Sequence, residues 1–349
     1  MIASKNFALF RLPYDGVATL IEQTSDSPVE LTAARELGTQ QGFVVAPFTP
    51  SAERPIVVIR PDRITMTDMH DIRQQLYDYI LKQDYTPRQH DSLPSADYHE
   101  DFQRFHQAIE NGRFQKLVLS RSIRVERSTD ALQPIELFYK ACALYPRVMV
   151  ALVSTERSGM WLTATPETLM QGSGTQWQTV ALAGTMPYAD HIGWSDKNIQ
   201  EQRYVASFIA EKLNLFADDF SEEGPITARA GHLAHLRSDF HLTLNNATSV
   251  GRLIEALHPT PAVCGLPKYE AADFILNHEH NDRSYYSGFM GPFAVNGQTH
   301  LFVTLRCMQL FDDHYCLYAG GGLLAESDEQ QEWLETEAKL DIMRQLIAP

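Results

Sequence analysis

The chain has 349 residues, 44% of them hydrophobic, which is enough apolar material for a globular protein with a substantial core. Because 44 acidic residues outnumber 29 basic ones and leave a net charge of −15, with no cluster of Lys and Arg, nucleic acid is not an expected partner. No apolar run reaches the roughly 18 residues that a membrane-spanning helix requires, so we expect a cytoplasmic protein without a membrane partner.

The first ninety residues alternate short β-rich runs with turn residues, and the polar segment 83–100 is predicted to be a loop. Beyond it, apolar residues recur at helical spacing from Asp97 to Asn111, and the segment 114–125 then changes to the alternation typical of a buried strand. The strands predicted before the loop are 7–12, 16–23, 42–48 and 55–61.

The rest of the chain predicts strands and helices without a regular βαβ repeat. Strands are predicted at 147–154, 159–165, 177–185, 301–311 and 314–321, and helices near 133–144, 196–214, 249–257, 268–277 and 328–346. Because the strands follow one another in antiparallel meanders, including a turn at Asp312 and Asp313, the sequence indicates an α+β fold. No tandem repeat or clear linker divides the chain, so residues 1–349 are predicted to form a single large domain.

The last predicted helix carries charged residues that share one face. Ser327 is predicted to be its N-cap, and Gln330 three residues later completes a capping box. Glu332, Glu335 and Lys339 follow at spacings of three and four residues, which places them on one side of the helix. One interpretation is an exposed stripe of ion pairs. The other is a binding site, because the helix follows the glycine run AGGGLL, whose backbone N–H groups can approach an anion closely.

Three glutamates supply the type of ligand that a hard cation prefers. Glu201 lies on a predicted helix, and taken alone its carboxylate would be solvated. Together with Glu332 and Glu335 it offers the oxygen ligands that Mg²⁺ prefers, with water and substrate oxygens completing the coordination. The motifs HLAH at 232–235 and HEH at 278–280 lack a third ligand at a recognisable spacing for a metal site. The cysteines, which form no CxxC pair and are expected to be reduced thiols, are Cys142, Cys264, Cys307 and Cys316.

Three further charged residues lie in or next to predicted buried strands. Lys116 begins a strand of Val and Leu residues, where its amine either reaches water at the strand end or is desolvated and able to act as a base. Arg306 lies within the strand predicted at 301–311 and keeps its proton, so its role would be to bind a carboxylate through two hydrogen bonds. Glu167 follows a strand and Pro166, where it either interacts with a helix dipole or points into a cleft.

Nine segments in order along the chain resemble the chorismate-utilising enzymes, and most closely the isochorismate synthases. They are KLVLSRS (116–122), TPETLM (165–170), ALAGTMP (181–187), SDKNIQEQRYV (195–205), LHPTPAVCGLP (257–267), NDRSYYSGFMG (281–291), LRCMQL (305–310), YAGGGLLAESD (318–328) and EWLETEAKL (332–340). The resemblance covers roughly residues 93–346, whereas residues 1–92 form a divergent N-terminal part that matches weakly. It implies a large α+β domain of layered antiparallel β-sheets with helices packed outside.

The resemblance implies a reaction and a role for the charged residues. In this family chorismate binds with Mg²⁺, water adds at ring carbon C2 and the C4 hydroxyl leaves, which gives isochorismate. Lys116 matches the base that activates water, and Glu167 matches the acid that protonates the leaving hydroxyl. Glu201 and Glu335 match direct metal ligands, and Glu332 matches a carboxylate that acts on the metal through water.

Further positions match the groups that hold the substrate. The ring carboxylate would meet the metal and the backbone N–H groups of Ala183, Gly184 and Thr185. The residues implied to hold the enolpyruvyl carboxylate are Arg306, Tyr318, Gly320, Gly321, Gly322 and Lys339. His258 is an implied active-site position as well, with a structural role beside two prolines as the alternative. Since chorismate is a dianion and the chain carries a net charge of −15, the glutamates require a divalent cation between them and the substrate.

Some positions depart from the family pattern. Gln202 replaces the histidine that usually follows the metal-binding glutamate, and Cys264 stands where a small residue is common. Ala183 replaces the nucleophilic lysine of many aminodeoxychorismate synthases, which disfavours that activity. Anthranilate synthases use ammonia and usually lack a lysine at the position of Lys116, so water is the expected nucleophile here. No obligatory amidotransferase subunit is therefore expected.

Three alternatives to isochorismate synthase remain open at this point. A salicylate synthase would use the same water chemistry and then eliminate pyruvate. A non-catalytic anion-binding protein could have kept the fold, and an unrelated metal-dependent hydrolase would need the carboxylates but not Lys116. The motifs do not distinguish an isochorismate synthase of menaquinone biosynthesis from one of siderophore biosynthesis.

Overall fold

The computed structural model describes residues 4–70, 93–128, 130–189, 193–230 and 233–348. Within these residues the chain forms two antiparallel sheets of nine strands each and six α-helices, which confirms the expected α+β architecture. Residues 83–92 of the predicted loop lie outside the described part of the chain. Of the helices that the structure describes, none combines the length and the apolar character needed to cross a bilayer.

Sheet A contains the strand that begins with Lys116. In spatial order its strands, numbered along the chain, are β14 (Gly265–Leu266), β7 (Lys116–Glu126), β18 (His314–Leu323), β17 (Cys307–Leu310), β9 (Gly159–Thr165), β8 (Met149–Thr155), β1 (Asn6–Arg11), β2 (Val17–Gln23) and β6 (Arg63–Asp68). All neighbouring strands are antiparallel, and the register of β7 with β18 places Val118 opposite Gly322 and Ser120 opposite Gly320. The glycine run is therefore the direct neighbour of the strand that carries Lys116.

Sheet B contains the Ala-Gly-Thr segment. In spatial order its strands are β12 (Ala217–Ala230), β13 (Leu233–Leu244), β11 (Gln176–Pro187), β10 (Thr168–Ser173), β16 (Thr299–Val303), β15 (Phe289–Phe293), β4 (Gly42–Ala46), β5 (Ile56–Ile59) and β3 (Val29–Leu31). The register of β11 with β13 shifts between Ala183 and Thr185, so Gly184 forms a bulge. Strands from the divergent residues 1–92 occur in both sheets.

The six α-helices of the described residues lie beside the sheets. They are α1 (Ala96–Glu110), α2 (Pro134–Leu144), α3 (Asp196–Phe216), α4 (Val250–Leu257), α5 (Lys268–His278) and α6 (Glu329–Ile347). The N-cap of α6 is Asp328, whose side chain accepts a hydrogen bond from the Gln331 N–H, so the predicted N-cap at Ser327 is wrong by one residue. Ser327 is buried instead: its hydroxyl accepts from the Leu324 N–H and donates to Glu332.

The apolar side chains form layers around the two sheets. Phe10 and Trp161 of sheet A meet Phe43 and Phe302 of sheet B between the sheets. The outer face of sheet B packs on α3 and α4, and the outer face of sheet A packs on α2 and α6. Helices α1 and α5 cover the β7 end of sheet A, where Trp333 of α6 joins them. The central strand β8 is almost wholly buried because both of its faces are covered.

The segment predicted as one strand at 301–311 is two strands in different sheets. β16 ends at Val303 in sheet B, and β17 begins at Cys307 in sheet A. Arg306 lies between them with a φ of 46°, a conformation that no strand residue adopts. The chain therefore passes from one sheet to the other at Arg306. Strand β12 was not predicted, because it is an exposed edge strand with many acidic residues and no apolar alternation. Strand β13 was not predicted either, although its apolar residues alternate.

Candidate active site

A cavity that opens to solvent is lined by residues from both sheets and from α3 and α6. The predicted site residues that line it are Glu167, Ala183, Gly184, Thr185, Glu201, Arg306, Tyr318, Gly320, Gly322 and Lys339. Its wall also includes Val118, His235, Val263 and Tyr286, which were not predicted as site residues. Residues far apart in the sequence therefore meet around one concave space, as ligand sites require.

Lys116 lies directly behind the cavity wall. Its side chain is 0% exposed, which excludes the interpretation of a strand-end lysine that reaches water. The Lys116 Nζ lies 2.9 Å from Glu201 Oε1 and makes no hydrogen bond of normal geometry within the described residues. A Cβ at Gly322 would lie 2.8 Å from Lys116 Cε and would also collide with Glu201. A side chain at position 322 would therefore displace this ion pair from its present place beside the strand.

Glu332 and Glu335 on α6 also pair with lysines. Glu332 is 1% exposed and forms an ion pair with Lys197 of α3. The Lys339 Nζ donates to Glu335 Oε1 at 2.6 Å, as expected for residues four apart on one helix face. A Cβ at Gly321 would lie 3.1 Å from Glu332 Oε2 and 3.9 Å from Glu335 Oε1. These six charged residues form the lysine–glutamate cluster: Lys116, Lys197, Lys339, Glu201, Glu332 and Glu335.

The electrostatics of the lysine–glutamate cluster are set by burial and by the paired charges. Burial and the charge of Glu335 raise the pKa of Glu332 to about 7, although Lys197 and Ser327 act against this. For Glu201, burial also favours a higher pKa, but the charges of Lys116 and Lys197 outweigh it and the pKa is lowered.

The donor set of this cluster suits a hard divalent cation in its chemistry. It contains three carboxylates, and Glu332 Oε2 is buried without a hydrogen-bond partner in the described structure. In the arrangement observed, no group of three Asp, Glu, His or Cys side chains among the described residues is placed to hold a metal ion. The oxygen ligands predicted for Mg²⁺ are therefore present, but lysine ammonium groups are their partners.

Arg306 supplies a positive charge of a different kind. Its side chain is 7% exposed, and its Nε has no hydrogen-bond partner within the described residues. Its Nη2 lies 3.0 Å from His235 Nε2. Because guanidinium N–H groups can only donate, a buried arginine with a free N–H that lines a cavity is suited to bind an anion there.

His235 is a site residue that the sequence analysis did not identify. It lies on β13 and is 3% exposed, with Nδ1 3.0 Å from the Gly184 carbonyl oxygen. Since Nε2 must accept from Arg306, Nδ1 carries the proton and donates to Gly184. Burial, followed by the charges of Arg306 and Lys339, lowers the pKa of His235 well below its usual value. Arg306 and His235, the arginine–histidine pair, thus combine a cation with a neutral ring.

The alternation of LAHLRSDFHLTL was the signal that could have placed His235 on a strand face. The motif HLAH, which contains His235, was instead interpreted only as a candidate metal site. Its other histidine, His232, lies outside the described residues. In the other rejected motif, His278 contacts the Phe274 carbonyl oxygen and His280 pairs with Asp101, so these two rings serve separate partners.

Glu167 is buried next to both kinds of cation. It is 3% exposed, and burial raises its pKa to about 7 against the opposing charges of Arg306 and Lys116. The residue is followed by strand β10 and not by a helix, so the interpretation of a first-turn acid near a helix dipole is wrong. A carboxyl group with this pKa is partly protonated at neutral pH and can donate a proton.

Glycines allow close approach at two further points of the wall. A Cβ at Gly320 would lie 2.8 Å from the hydroxyl of Tyr286, whose ring stacks on that of Tyr318 with 5.5 Å between centroids. Gly184 has a φ of 72°, and a Cβ there would lie 3.2 Å from Asn198 Cβ at the start of α3. The bulge and the helix therefore pack together only because residue 184 is glycine.

His258 does not line the cavity. Its ring is 6% exposed, with Nε2 3.3 Å from the Pro47 carbonyl oxygen and 3.2 Å from that of Phe48. The ring also contacts Phe289 edge-on, with 4.9 Å between centroids. Burial lowers the pKa of His258 to about 3, so the ring is neutral at ordinary pH. These contacts are those of a structural residue and favour the structural alternative for His258 over the implied active-site role.

The departures from the family pattern lie in packing positions. Gln202 is 0% exposed and donates to the Ser238 hydroxyl on β13 at 2.8 Å. It therefore ties α3 to sheet B. Cys264 is buried, with its thiol 3.6 Å from the Lys268 carbonyl oxygen. The cysteines are free thiols, as predicted.

Comparisons with known proteins agree with this geometry. The model of a family described as chorismate binding enzyme matches residues 60–348. The isochorismate synthase DhbC of Bacillus subtilis is 31% identical over 253 residues, which are 67% of this chain and 63% of that relative. The salicylate biosynthesis isochorismate synthase of Pseudomonas aeruginosa is 28% identical over 252 residues, 69% of this chain and 52% of the relative. The match thus spans about half to three fifths of the length of these relatives.

Solved structures share the fold. A putative 2,3-dihydroxybenzoate-specific isochorismate synthase, DhbC from Bacillus anthracis, superimposes with a TM-score of 0.80 and 24% identity, covering 99% of this chain and 97% of that one. Anthranilate synthase component I from Streptococcus pneumoniae has a TM-score of 0.65 and 14% identity, covering 96% of this chain and 89% of that one. Because the family model covers most of its length, the chain belongs to the chorismate-binding enzyme family.

Proposed function

We propose that the protein is a Mg²⁺-dependent isochorismate synthase that converts chorismate to isochorismate. One observation carries the proposal: the acid Glu167, with a pKa of about 7, and the buried Arg306 line one cavity, and the buried amine of Lys116 lies directly behind its wall at Gly322. A base, an acid and an anion anchor are the parts that this isomerisation needs. The names of the relatives from Bacillus subtilis and Pseudomonas aeruginosa support the same activity.

Substrate binding would rest on local cations, because the net charge of −15 repels a dianion at long range. The free Nε–H of Arg306 would donate to the enolpyruvyl carboxylate. Tyr318 and the unpredicted Tyr286 line the same wall and have hydroxyl groups for this carboxylate. Lys339, which donates to the Gly320 carbonyl oxygen at 2.8 Å, adds positive charge nearby.

The chemical step would use Lys116 and Glu167 in opposite roles. Lys116 in its neutral form accepts a proton from the water whose oxygen bonds to ring carbon C2. Both double bonds of the ring shift, to C1=C6 and C4=C5, the C4–O bond breaks, and Glu167 donates its proton to the departing hydroxyl, which leaves as water. One water enters and one leaves, so the product is an isomer of the substrate. Water as nucleophile also removes the need for an amidotransferase subunit.

Glu201, Glu332 and Glu335 would hold Mg²⁺, which supplies the positive charge that neutralises the ring carboxylate in this family. The same carboxylates are paired with Lys116, Lys197 and Lys339 in the structure. The ammonium groups and a divalent cation therefore compete for the same oxygens. The pairing with lysines explains how three glutamates can lie close together before a cation arrives.

The test is to incubate the purified protein with chorismate, with and without Mg²⁺, and to quantify isochorismate, salicylate and pyruvate separately. We expect isochorismate only when Mg²⁺ is present, and no pyruvate. Equal amounts of salicylate and pyruvate would instead identify a salicylate synthase. Chorismate binding without turnover would identify an anion-binding protein and overturn the proposal.

A further inference from the structure

Strand β7 carries Lys116 and the cavity residue Val118, yet one of its edges has a neighbouring strand for only two residues. The two residues of β14 pair with Lys116 and Leu117. The Val118 N–H then donates to the Cys264 carbonyl oxygen at 2.7 Å. In the sheet that the structure describes, no strand continues along this edge beyond that point. The backbone groups of β7 that follow need other partners.

A buried ion pair supplies these partners. Glu279 and Arg283 follow α5, and their side chains are 1% and 4% exposed. The Val118 carbonyl oxygen accepts from Arg283 Nη2 at 2.7 Å, and the Ser120 N–H donates to Glu279 Oε1 at 2.7 Å. Arg283 binds Glu279 through Nε and Nη2 at 2.6 and 2.8 Å, so its planar fork is fully used. The pair thus continues the hydrogen-bond ladder that β14 begins.

The same arginine contacts two other parts of the cavity wall. Its Nη1 donates to the carbonyl oxygen of Val263 at 2.7 Å. Its own carbonyl oxygen accepts from the N–H of Tyr286 at 2.8 Å. The guanidinium also lies 4.4 Å from the centre of the Phe48 ring, which packs it from one face. Val118, Val263 and Tyr286 all line the cavity, so one residue connects three of its walls.

We propose that Glu279 and Arg283 are positioning residues that hold β7, and with it Lys116, in place relative to Val263 and Tyr286. The inference rests on the proposed function, since Lys116 is the base of that reaction. A lysine at position 283 would keep the charge but could not reproduce the planar set of donors. The free edge of β7 would then shift, and a displacement of about 1 Å at a reacting group can lower turnover by about 10²-fold.

The test compares Arg283→Lys with Arg11→Lys as a matched control. Arg11 is also buried and donates to the carbonyl oxygens of Tyr145 and Pro146, both at 2.7 Å, but it does not line the cavity. We expect kcat for isochorismate formation to fall by about 10²-fold in Arg283→Lys, with a much smaller change in KM. Arg11→Lys should keep the wild-type kcat per folded molecule. Equal kcat in the two variants would overturn the proposal.

Hydrogen exchange tests the same inference without relying on activity. Amide exchange in a peptide covering residues 116–122 should be faster in Arg283→Lys than in the wild type, and unchanged in Arg11→Lys. If the wild type does not turn over chorismate, the proposed function fails while this measurement still decides whether the pair holds β7. Unchanged exchange in Arg283→Lys would overturn the positioning role.

Glu279→Gln is a second variant in case Arg283→Lys does not fold. The amide oxygen can still accept from the Ser120 N–H, but the charge opposite Arg283 is lost. We expect a smaller decrease in kcat in the same direction, together with faster exchange of residues 116–122. Wild-type exchange and wild-type kcat in Glu279→Gln would contradict the inference.

Discussion

The lysine–glutamate cluster and the arginine–histidine pair meet the same cavity, but they handle buried charge differently. In the cluster, Glu201, Glu332 and Glu335 each have an ammonium partner. In the pair, the neighbour of Arg306 is the neutral His235, and one guanidinium N–H has no partner in the described structure. A buried charge that lacks an opposite charge is strongly destabilising, whereas a paired one is close to neutral in free energy.

This difference indicates which ligand each region is suited to receive. The cluster is neutralised internally, so a cation can enter only by exchanging with lysines. Arg306 of the pair forms no salt bridge within the described residues, and its Nε–H is free, so an anion can bind there without displacing an ion-pair partner. Glu167 interacts with both regions, because the charges of Arg306 and Lys116 each lower its pKa against the effect of burial.

The largest effect is expected for Lys116→Met, which removes the proposed base and leaves Glu201 without its ammonium partner. Loss of a general base lowers turnover by about 10²- to 10⁴-fold. The measurement is kcat for isochorismate formation at saturating chorismate and Mg²⁺. Lys140→Met is the matched control, because Lys140 is also buried but donates to the Ala348 carbonyl oxygen, away from the cavity. A Lys116→Met variant with more than about a tenth of wild-type kcat would contradict the assignment.

Arg306→Lys should act mainly on substrate binding. It keeps the positive charge but loses the planar donors, and a hydrogen bond to a charged group contributes about 1.5–3 kcal/mol. KM for chorismate should therefore rise by about 10- to 10²-fold. Arg237→Lys on β13 is the control, since Arg237 pairs with Asp239 and does not line the cavity. The same KM in both variants would show that Arg306 does not anchor the anion.

The pH dependence tests Glu167. Because its pKa is about 7 and the acid form is needed, kcat should decrease as the pH rises through about 7. Glu167→Gln should lose most activity and show no such descending limb. The same pKa shift makes the free energy of unfolding depend on pH. Because the pKa of Glu167 is raised in the folded protein, the folded state binds this proton more tightly than the unfolded state. The stabilising contribution of protonated Glu167 is complete below its ordinary pKa of 4.5 and is lost as the pH rises through its folded-state pKa of about 7. A wild-type profile that is flat between pH 6 and 8 would argue against Glu167 as the acid.

His258→Leu should have the smallest effect on turnover. The ring is buried beside Phe289 and outside the cavity, so the substitution should lower the free energy of unfolding by about 1 kcal/mol through the lost hydrogen bond. Chemical denaturation gives this value, and kcat should stay at the wild-type level. A tenfold decrease in kcat would restore the active-site role that the resemblance implied.

The parts of the site that depend on local spacing could be predicted from the sequence. Helical periodicity placed Glu332, Glu335 and Lys339 on one face, and the apolar neighbours of Lys116 indicated burial. The glycine run was recognised as a place of close approach. Resemblance to the family supplied the link between Lys116 and Glu167, which no local pattern contains.

The remaining parts depend on long-range geometry. His235 on β13 contacts Arg306 in the connection between the two sheets. The local sequence pattern of neither segment predicts this contact. The apolar run at 301–311 looks continuous because residues on both sides of the crossing are buried. The lysine partners of Glu201 and Glu332 come from other elements, so pairing could not be read from either segment. For His258, the sequence allowed two roles, and the packing of its ring against Phe289 favours the structural one.

The positive φ of Arg306 has a consequence for how this architecture can vary. Arg306 lies in the short connection between the end of β16 at Val303 in one sheet and the start of β17 at Cys307 in the other. The direction of its side chain therefore follows from the conformation of this connection. Inserting or deleting a single amino acid there would turn the guanidinium away while leaving both sheets intact. The proposed anion anchor thus depends on the conformation of this connection. A change in the length of the connection would be expected to abolish anion binding without unfolding the protein.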